Sequence, residues 1–532
     1  MGGGGGGDED LRAFRTAWWQ RLLADDSTYE LTRFAVLRLI GLVYLVAFLV
    51  IHNQFDALLG SSGLLPVSLL LGWDQTRLGG SAYWRVPTLF WFGSSDAVVH
   101  AACYAGMALS FAALAGVTNA IVQLALWVLY LSFVHAGQIF YGYGWEIQLL
   151  ETGFLAVFLC PVRGLSPFPK TATPKILIWL LRWLVFRIML GSALIKLRGD
   201  PCWRDLTCLD YHFETQPNPN PLAWSLHHAP HAIHAAGVLF NYLAELIAPW
   251  FAFGFRRSRH AAGIVLVAFQ VFLILSGNLS FLNWLTIIPA LACFDDSAFA
   301  LLVPRRWRAL LAAREVGAPS RVQTRVVRGY AFVVAILSFA PILNLASCHQ
   351  AMNTSFDPLD LVNTYGAFGS VDRQRFEVIL EGTRDEIPTR DGNWLEYELP
   401  CMPGNPYRRP CVITPYHLRL DWQMWFVGNG SARGEPIDQE PWLVHLIWQL
   451  LSGEPSPKRL LSYDPFPEAD APPKWIRADI WRYAFTGSRA ESGGPWWKRQ
   501  RVGIFLRPVS LEDPALREYV QGFGWPDAPG AY

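Results

Sequence analysis

Long apolar runs separated by short polar segments occupy most of the 532-residue chain up to about residue 347. A helix needs about 20 mostly apolar residues to cross a bilayer. Runs of that kind lie at 33–51, 97–117, 120–140, 146–162, 176–195, 232–254, 260–276, 280–294 and 327–346. They predict a polytopic α-helical membrane bundle of about nine transmembrane helices. The runs at 146–162 and 280–294 are short for a span, and those at 63–72 and 297–304 read as interfacial or re-entrant. Beyond residue 348 the pattern changes. RFEVILEGT and WLEYELP within 374–399, then 475–486 and 501–508, alternate like strands, while PWLVHLIWQLLS at 441–452 has helical spacing. The expected organisation is an N-terminal segment 1–32, disordered or amphipathic; a helical membrane domain 33–347; and a soluble, strand-rich C-terminal domain 348–532.

Composition supports the membrane reading. Apolar residues make up 52 % of the chain and charged residues only 16 %, against about a quarter in an ordinary soluble protein. A net charge of +1 gives no sign of a nucleic-acid partner. The glycine run at the start lacks the charge and apolar core of a signal peptide. Basic residues set the orientation. Arg12, Arg15, Arg21, Arg33, Arg163, Lys170, Lys175, Arg256, Arg257, Arg259 and the arginines between 305 and 328 fall on one side; Arg77, Arg85, Lys196, Arg198 and Arg204 fall on the other. The N-terminus is therefore expected in the cytoplasm. The polar loop 197–230 and everything after 347 are expected outside, in a lumen or periplasm.

That compartment permits disulfides. Cys202/Cys208 and Cys401/Cys411 are close pairs that could close there, whereas Cys103, Cys160 and Cys293 read as small buried hydrophobes. Charges within apolar runs form a candidate intramembrane polar site: Glu146, Glu151, Arg182, Arg187 and Glu245. The bland account pairs Glu with Arg across helices; the functional account is an acid/base or ion site. The loop adds His212, Glu214, His227, His228, His231 and His234, without an HExxH pattern, so no metal is expected. No phosphate-binding loop, dinucleotide fingerprint or nucleophile elbow is present, so neither a cofactor nor a catalytic residue is assigned.

Several blocks resemble the lipase maturation factor family: RLIGLVYLVAFL, YGYGWEIQLLETGFLAVFLCP, LRWLVFRIMLGSALIKLRGDPCWRDLTCLDYHFETQPNPNPLAWSLHHAP, LVNTYGAFGSVDRQRFEVILEGT, PYHLRLDWQMWF and DPFPEADAPPKWIRADIWRYAFT. The resemblance implies a membrane-anchored factor, not an established enzyme, that assists folding of immature secreted lipases. It would sit in the endoplasmic-reticulum membrane, or in the inner membrane of a bacterium if this is a bacterial member. By the same resemblance Trp203, Tyr211, His212, Glu214 and Gln216 form a structured cap outside the bundle. Tyr365, Phe368, Arg373, Arg375, Trp422 and Trp425 are candidates for the ordered core or client surface of the C-terminal domain. The membrane part is also distantly similar to vitamin K-dependent carboxylase-like and DoxX-like bundles. That similarity leaves a second reading, a membrane enzyme using the intramembrane Glu and loop His residues with a quinone-like or lipid cofactor. A transporter, which would be expected to show inverted repeats, ranks last.

Overall fold

The computed structural model describes residues 27–304, 306, 314–468, 470–487 and 493–528. The expected disorder at 1–32 falls almost wholly outside them, and residues 30–32 already belong to the first helix.

Among the described residues six helices are long and apolar enough to cross a bilayer: α1 (Glu30–Leu58), α2 (Asp96–Ala115), α5 (Lys175–Arg198), α6 (His231–Phe251), α7 (Arg256–Ser276) and α9 (Arg321–Ala346). Three shorter apolar helices lie among them: α3 (Ala120–Ala136), α4 (Gly144–Leu159) and α8 (Leu282–Cys293). The expected nine runs are thus all helical, but three are too short to count as spans by length alone. Outward faces are apolar: Phe111, Ile264 and Phe332 are more than 60 % exposed, which in water would be costly and in lipid is not. Helix starts are locally satisfied. The backbone N–H groups of Glu30 and Leu31 donate to the Asp296 carboxylate, and the Asn119 side chain accepts from Ile121 N at the start of α3.

The C-terminal part is mixed rather than purely strand-rich. A short antiparallel pair, β1 (Thr354–Ser355) and β2 (Asn363–Thr364), precedes a four-stranded antiparallel sheet. Its strands are β3 (Arg375–Thr383), β4 (Leu395–Glu396), β5 (Trp475–Phe485) and β6 (Trp497–Val509), in spatial order β4–β3–β5–β6. Helices α10 (Arg419–Ala432), α11 (Pro441–Ser452) and α12 (Pro514–Phe523) complete it. The helix expected at 441–452 forms as α11. Sequence reading gave no helix at 419–432, where aromatic and polar residues blur the period. Helix α10 lies so close to β3 that a Cβ on Gly428 would meet the Phe376 carbonyl.

One connected cluster of buried apolar residues runs from Val36 and Tyr44 in α1, through Leu149 in α4 and Leu184 in α5, to Val378 in β3, Trp442 in α11 and Trp525. The C-terminal part therefore does not hang from a tether but shares a core with the bundle. The Leu64 carbonyl, in the segment after α1, accepts from Trp525 Nε1 at 3.1 Å and lies 2.8 Å from His445 Nδ1.

Candidate functional site

Glu146 and Glu151 sit one and two turns into α4, and each finds its base or its neutral donors outside the bundle's apolar helices. Glu146 Oε1 accepts from Trp145 Nε1 at 2.9 Å and from Arg419 Nη1 at 2.8 Å. Its Oε2 accepts from the Tyr130 hydroxyl. Arg419 opens α10, so a bundle acid is neutralised by a C-terminal base, and both side chains are fully buried. The guanidinium also lies over the Tyr141 ring, 3.5 Å from its centroid.

Glu151 does pair with Arg187, across α4 and α5. Its Oε2 additionally accepts from Asn363 N at 3.1 Å and from the Tyr365 hydroxyl at 2.7 Å, while Arg187 Nη1 donates to the Asn363 carbonyl at 2.5 Å. Residues 363–369 thus press into the bundle. The close approach needs Gly191, where a Cβ would collide with the Tyr365 carbonyl. Arg182 meets no acid among the described residues. It donates to the Ala292 carbonyl and the Tyr29 hydroxyl, each at 2.9 Å.

Glu245 is different. It lies in a π-helical turn, Leu243–Ile247, inside α6; such turns shift the register of a helix face and recur at functional sites. Lys196 Nζ is 2.6 Å from each Glu245 oxygen and 3.0 Å from Asn241 Oδ1, and Asn241 Nδ2 donates to Glu245 Oε2 at 2.9 Å. The trio faces a cavity of about 380 Å³ lined by α4–α8, the 197–230 loop, residues 365–370 and α10. His212, Trp203, Phe368, Trp422 and Trp425 also line it. The five polar residues singled out from the sequence are therefore not one site. Glu146, Glu151 and Arg187 lock the junction, Arg182 ties α5 to the end of α8 and to Tyr29, and Glu245 alone of the five lines the cavity.

The 197–230 loop is a mortar between bundle and C-terminal part. Cys202 and Cys208 are joined, with Cα atoms 4.8 Å apart, and so are Cys401 and Cys411, 5.4 Å apart. Trp203 Nε1 donates to the Phe368 carbonyl at 2.8 Å, and Glu214 Oε2 accepts from Phe485 N at 2.7 Å. Gln216 Nε2 donates to the Ser276 carbonyl. Tyr211 lies under Arg373, which pairs with Asp200 at 2.9 Å. Arg375 is fully buried, paired with Glu377, and donates to the Glu214, Gln216 and Pro217 carbonyls. Trp425 Nε1 donates to the Thr215 carbonyl, and Trp422 packs on Trp145. Burial holds the His212 and His227 imidazoles down to about 4, so both are neutral near pH 7. His231 and His234 both bond Asp210, and no cluster of three metal-ligating side chains occurs among the described residues.

Sequence reasoning missed Arg419, Asn363, Asn241 and the inward role of Lys196. The available signals were a lone Arg inside the aromatic run HLRLDWQMWF and an Asn four residues before Glu245, on the same helix face.

Residues 31–301 match the lipase maturation factor transmembrane domain, and residues 361–507 match the lipase maturation factor C-terminal domain. The chain is 46 % identical to lipase maturation factor 1 of Mus musculus, covering 94 % of this chain and 90 % of that protein. It is 44 % identical to lipase maturation factor 1 of Homo sapiens over 94 % and 91 %. Lipase maturation factor 2 of Xenopus laevis is 29 % identical over 94 % and 86 %. No solved structure matches the chain.

Proposed function

Because this chain belongs to the lipase maturation factor family, we propose that it is an integral membrane factor for the maturation of lipases. The reading rests on one observation above all: similarity to lipase maturation factor 1 runs through both bundle and C-terminal part, at 44–46 % identity. The bundle anchors the protein, and the C-terminal part meets an immature secreted lipase. The shorter helices α3, α4 and α8 complete about nine crossings by sitting in locally thinned bilayer. The N-terminus is cytoplasmic and the C-terminal domain lumenal, in the endoplasmic reticulum.

Half of the six candidate client residues are turned inward. Tyr365, Arg375 and Trp422 are buried at the junction. In this reading they set the domain's pose, and the client meets the outer strand β6, where Val502 and Ile504 are each 57 % exposed. Glu146 and Glu151 are saturated by donors, which favours an assembly factor over an acid/base enzyme at those two positions.

Deleting the gene in its native cell should lower the activity of a secreted lipase at unchanged lipase transcript, with rescue by the full chain and none by residues 1–347. Intact lipase activity in the deletion strain would overturn the proposal. The exposed free thiol of Cys348 reports orientation: an impermeant maleimide should reach it only once the lumenal face is opened.

A further inference from the structure

The cavity beside Lys196 has no place in the client reading and stands independently of it. Its volume of about 380 Å³ falls in the range of small-molecule sites. Most of its wall is apolar, including Met189, Phe240, Phe269 and Leu273 from the membrane helices. One end carries the Lys196–Asn241–Glu245 trio, near the last turn of α5. A void lined only by hydrocarbon can stay empty; one with polar groups is filled, by water or by a ligand.

Two features choose between occupants. First, the three donors of Lys196 are spent on Glu245 and Asn241, and its charge is balanced by Glu245. An ionic head would find no free counter-charge, and a neutral head could still bond the carboxylate. Second, the His212 imidazole is 9 % exposed, lines the cavity, and touches Phe213 and Phe368 edge-on without a hydrogen-bond partner among the described residues. A buried imidazole left unpaired is costly; when neutral it can both donate and accept. The apolar remainder lies between helices that cross the bilayer, so the occupant is drawn from the bilayer.

We propose that the cavity binds an uncharged, single-chain amphiphile of the monoacylglycerol type, its hydroxyl head at Glu245 and His212 and its chain along Phe240, Phe269 and Leu273. The π-helical turn of α6 serves this site by presenting Glu245 to the head.

The test uses the full chain in nanodiscs and a monoacylglycerol with a diazirine in its chain, followed by peptide mapping. Adducts should appear on peptides holding Met189 and Leu273 and be competed by unlabelled monooleoylglycerol but not by oleate. Ser192→Phe, which fills the cavity, should abolish these adducts, and His212→Leu should reduce them roughly tenfold. If Ser192→Phe does not fold, as read by its melting, His212→Leu alone decides. Labelling confined to outward-facing peptides around Ile264 and Phe332, labelling untouched by the folded variants, or oleate competing better than the neutral lipid would each overturn the proposal.

Discussion

Arg419 Nη1 donates to Glu146 Oε1 at 2.8 Å, joining residues 273 positions apart, and neither side chain sees solvent. The bundle's acid and the C-terminal domain's base are each other's solution to burial. Removing either leaves a stranded charge, which costs about 3–5 kcal/mol, whereas replacing both costs less. Glu146→Gln or Arg419→Met alone should sharply lower the melting temperature in detergent. The double variant should recover part of the loss, and strictly additive losses would show that the two are not coupled.

Gly191 permits the Tyr365 carbonyl to lie against α5. Gly191→Leu should lift residues 363–369 off the bundle and release the bonds to Glu151. Limited proteolysis should then cut near residue 365 in the variant and not in the parent. Tyr365→Phe removes one hydrogen bond to a buried carboxylate and should cost about 1.5–3 kcal/mol without exposing the cut site.

The two disulfides close loops with sequence separations of 6 and 10. Loop-closure entropy assigns them about 2 and 3 kcal/mol respectively. Paired serine substitutions at Cys202/Cys208 and at Cys401/Cys411 should lower stability by those amounts, measured by denaturant unfolding of the purified protein. Non-reducing peptide maps should show the two native pairs and leave Cys348 alkylated.

His212 is neutral in the folded protein because burial and Lys196 hold it at about 4 rather than 6.5. Its folded value is depressed, so the unfolded chain binds the extra proton first as pH falls. Stability is fully present above about 6.5 and declines between 6.5 and 4, by roughly 3 kcal/mol in all. Melting followed from pH 7.5 to 4 should fall across that window, and His212→Gln should flatten the fall.

If the client meets β6, Val502→Asp with Ile504→Asp should reduce lipase output while leaving melting unchanged, because both side chains are largely exposed. A matched change at lipid-facing Phe332 should leave lipase output unaffected only when the replacement is apolar.

Much of the bundle is legible in the sequence. Apolar runs such as 33–51 and 176–195 announce α1 and α5, because a helix facing lipid must be apolar around most of its surface. Strands β3 and β5 were legible from alternation, and α11 from its period. The length of a crossing was less legible. The runs at 120–140 and 280–294 continue past the residues that end α3 and α8, since hydropathy does not mark where a backbone stops being helical. The candidate site was legible only as a set of residue types. Glu146, Glu151 and Glu245 look alike in sequence, each an acid in an apolar run without a neighbouring base.

What the sequence by itself determined was therefore the medium and the material: a chain that must sit in lipid, acids that must be neutralised there, and a polar, cysteine-bearing loop between α5 and α6. Only the tertiary structure decided which base answers which acid. Arg419 reaches Glu146, Arg187 reaches Glu151 with Asn363 and Tyr365 as added donors, and Lys196 reaches Glu245 beside a cavity. The reason is physical. Burying a charge demands a partner but does not specify its position along the chain; packing of helix on helix within the bundle, and of the C-terminal part against it, makes that choice.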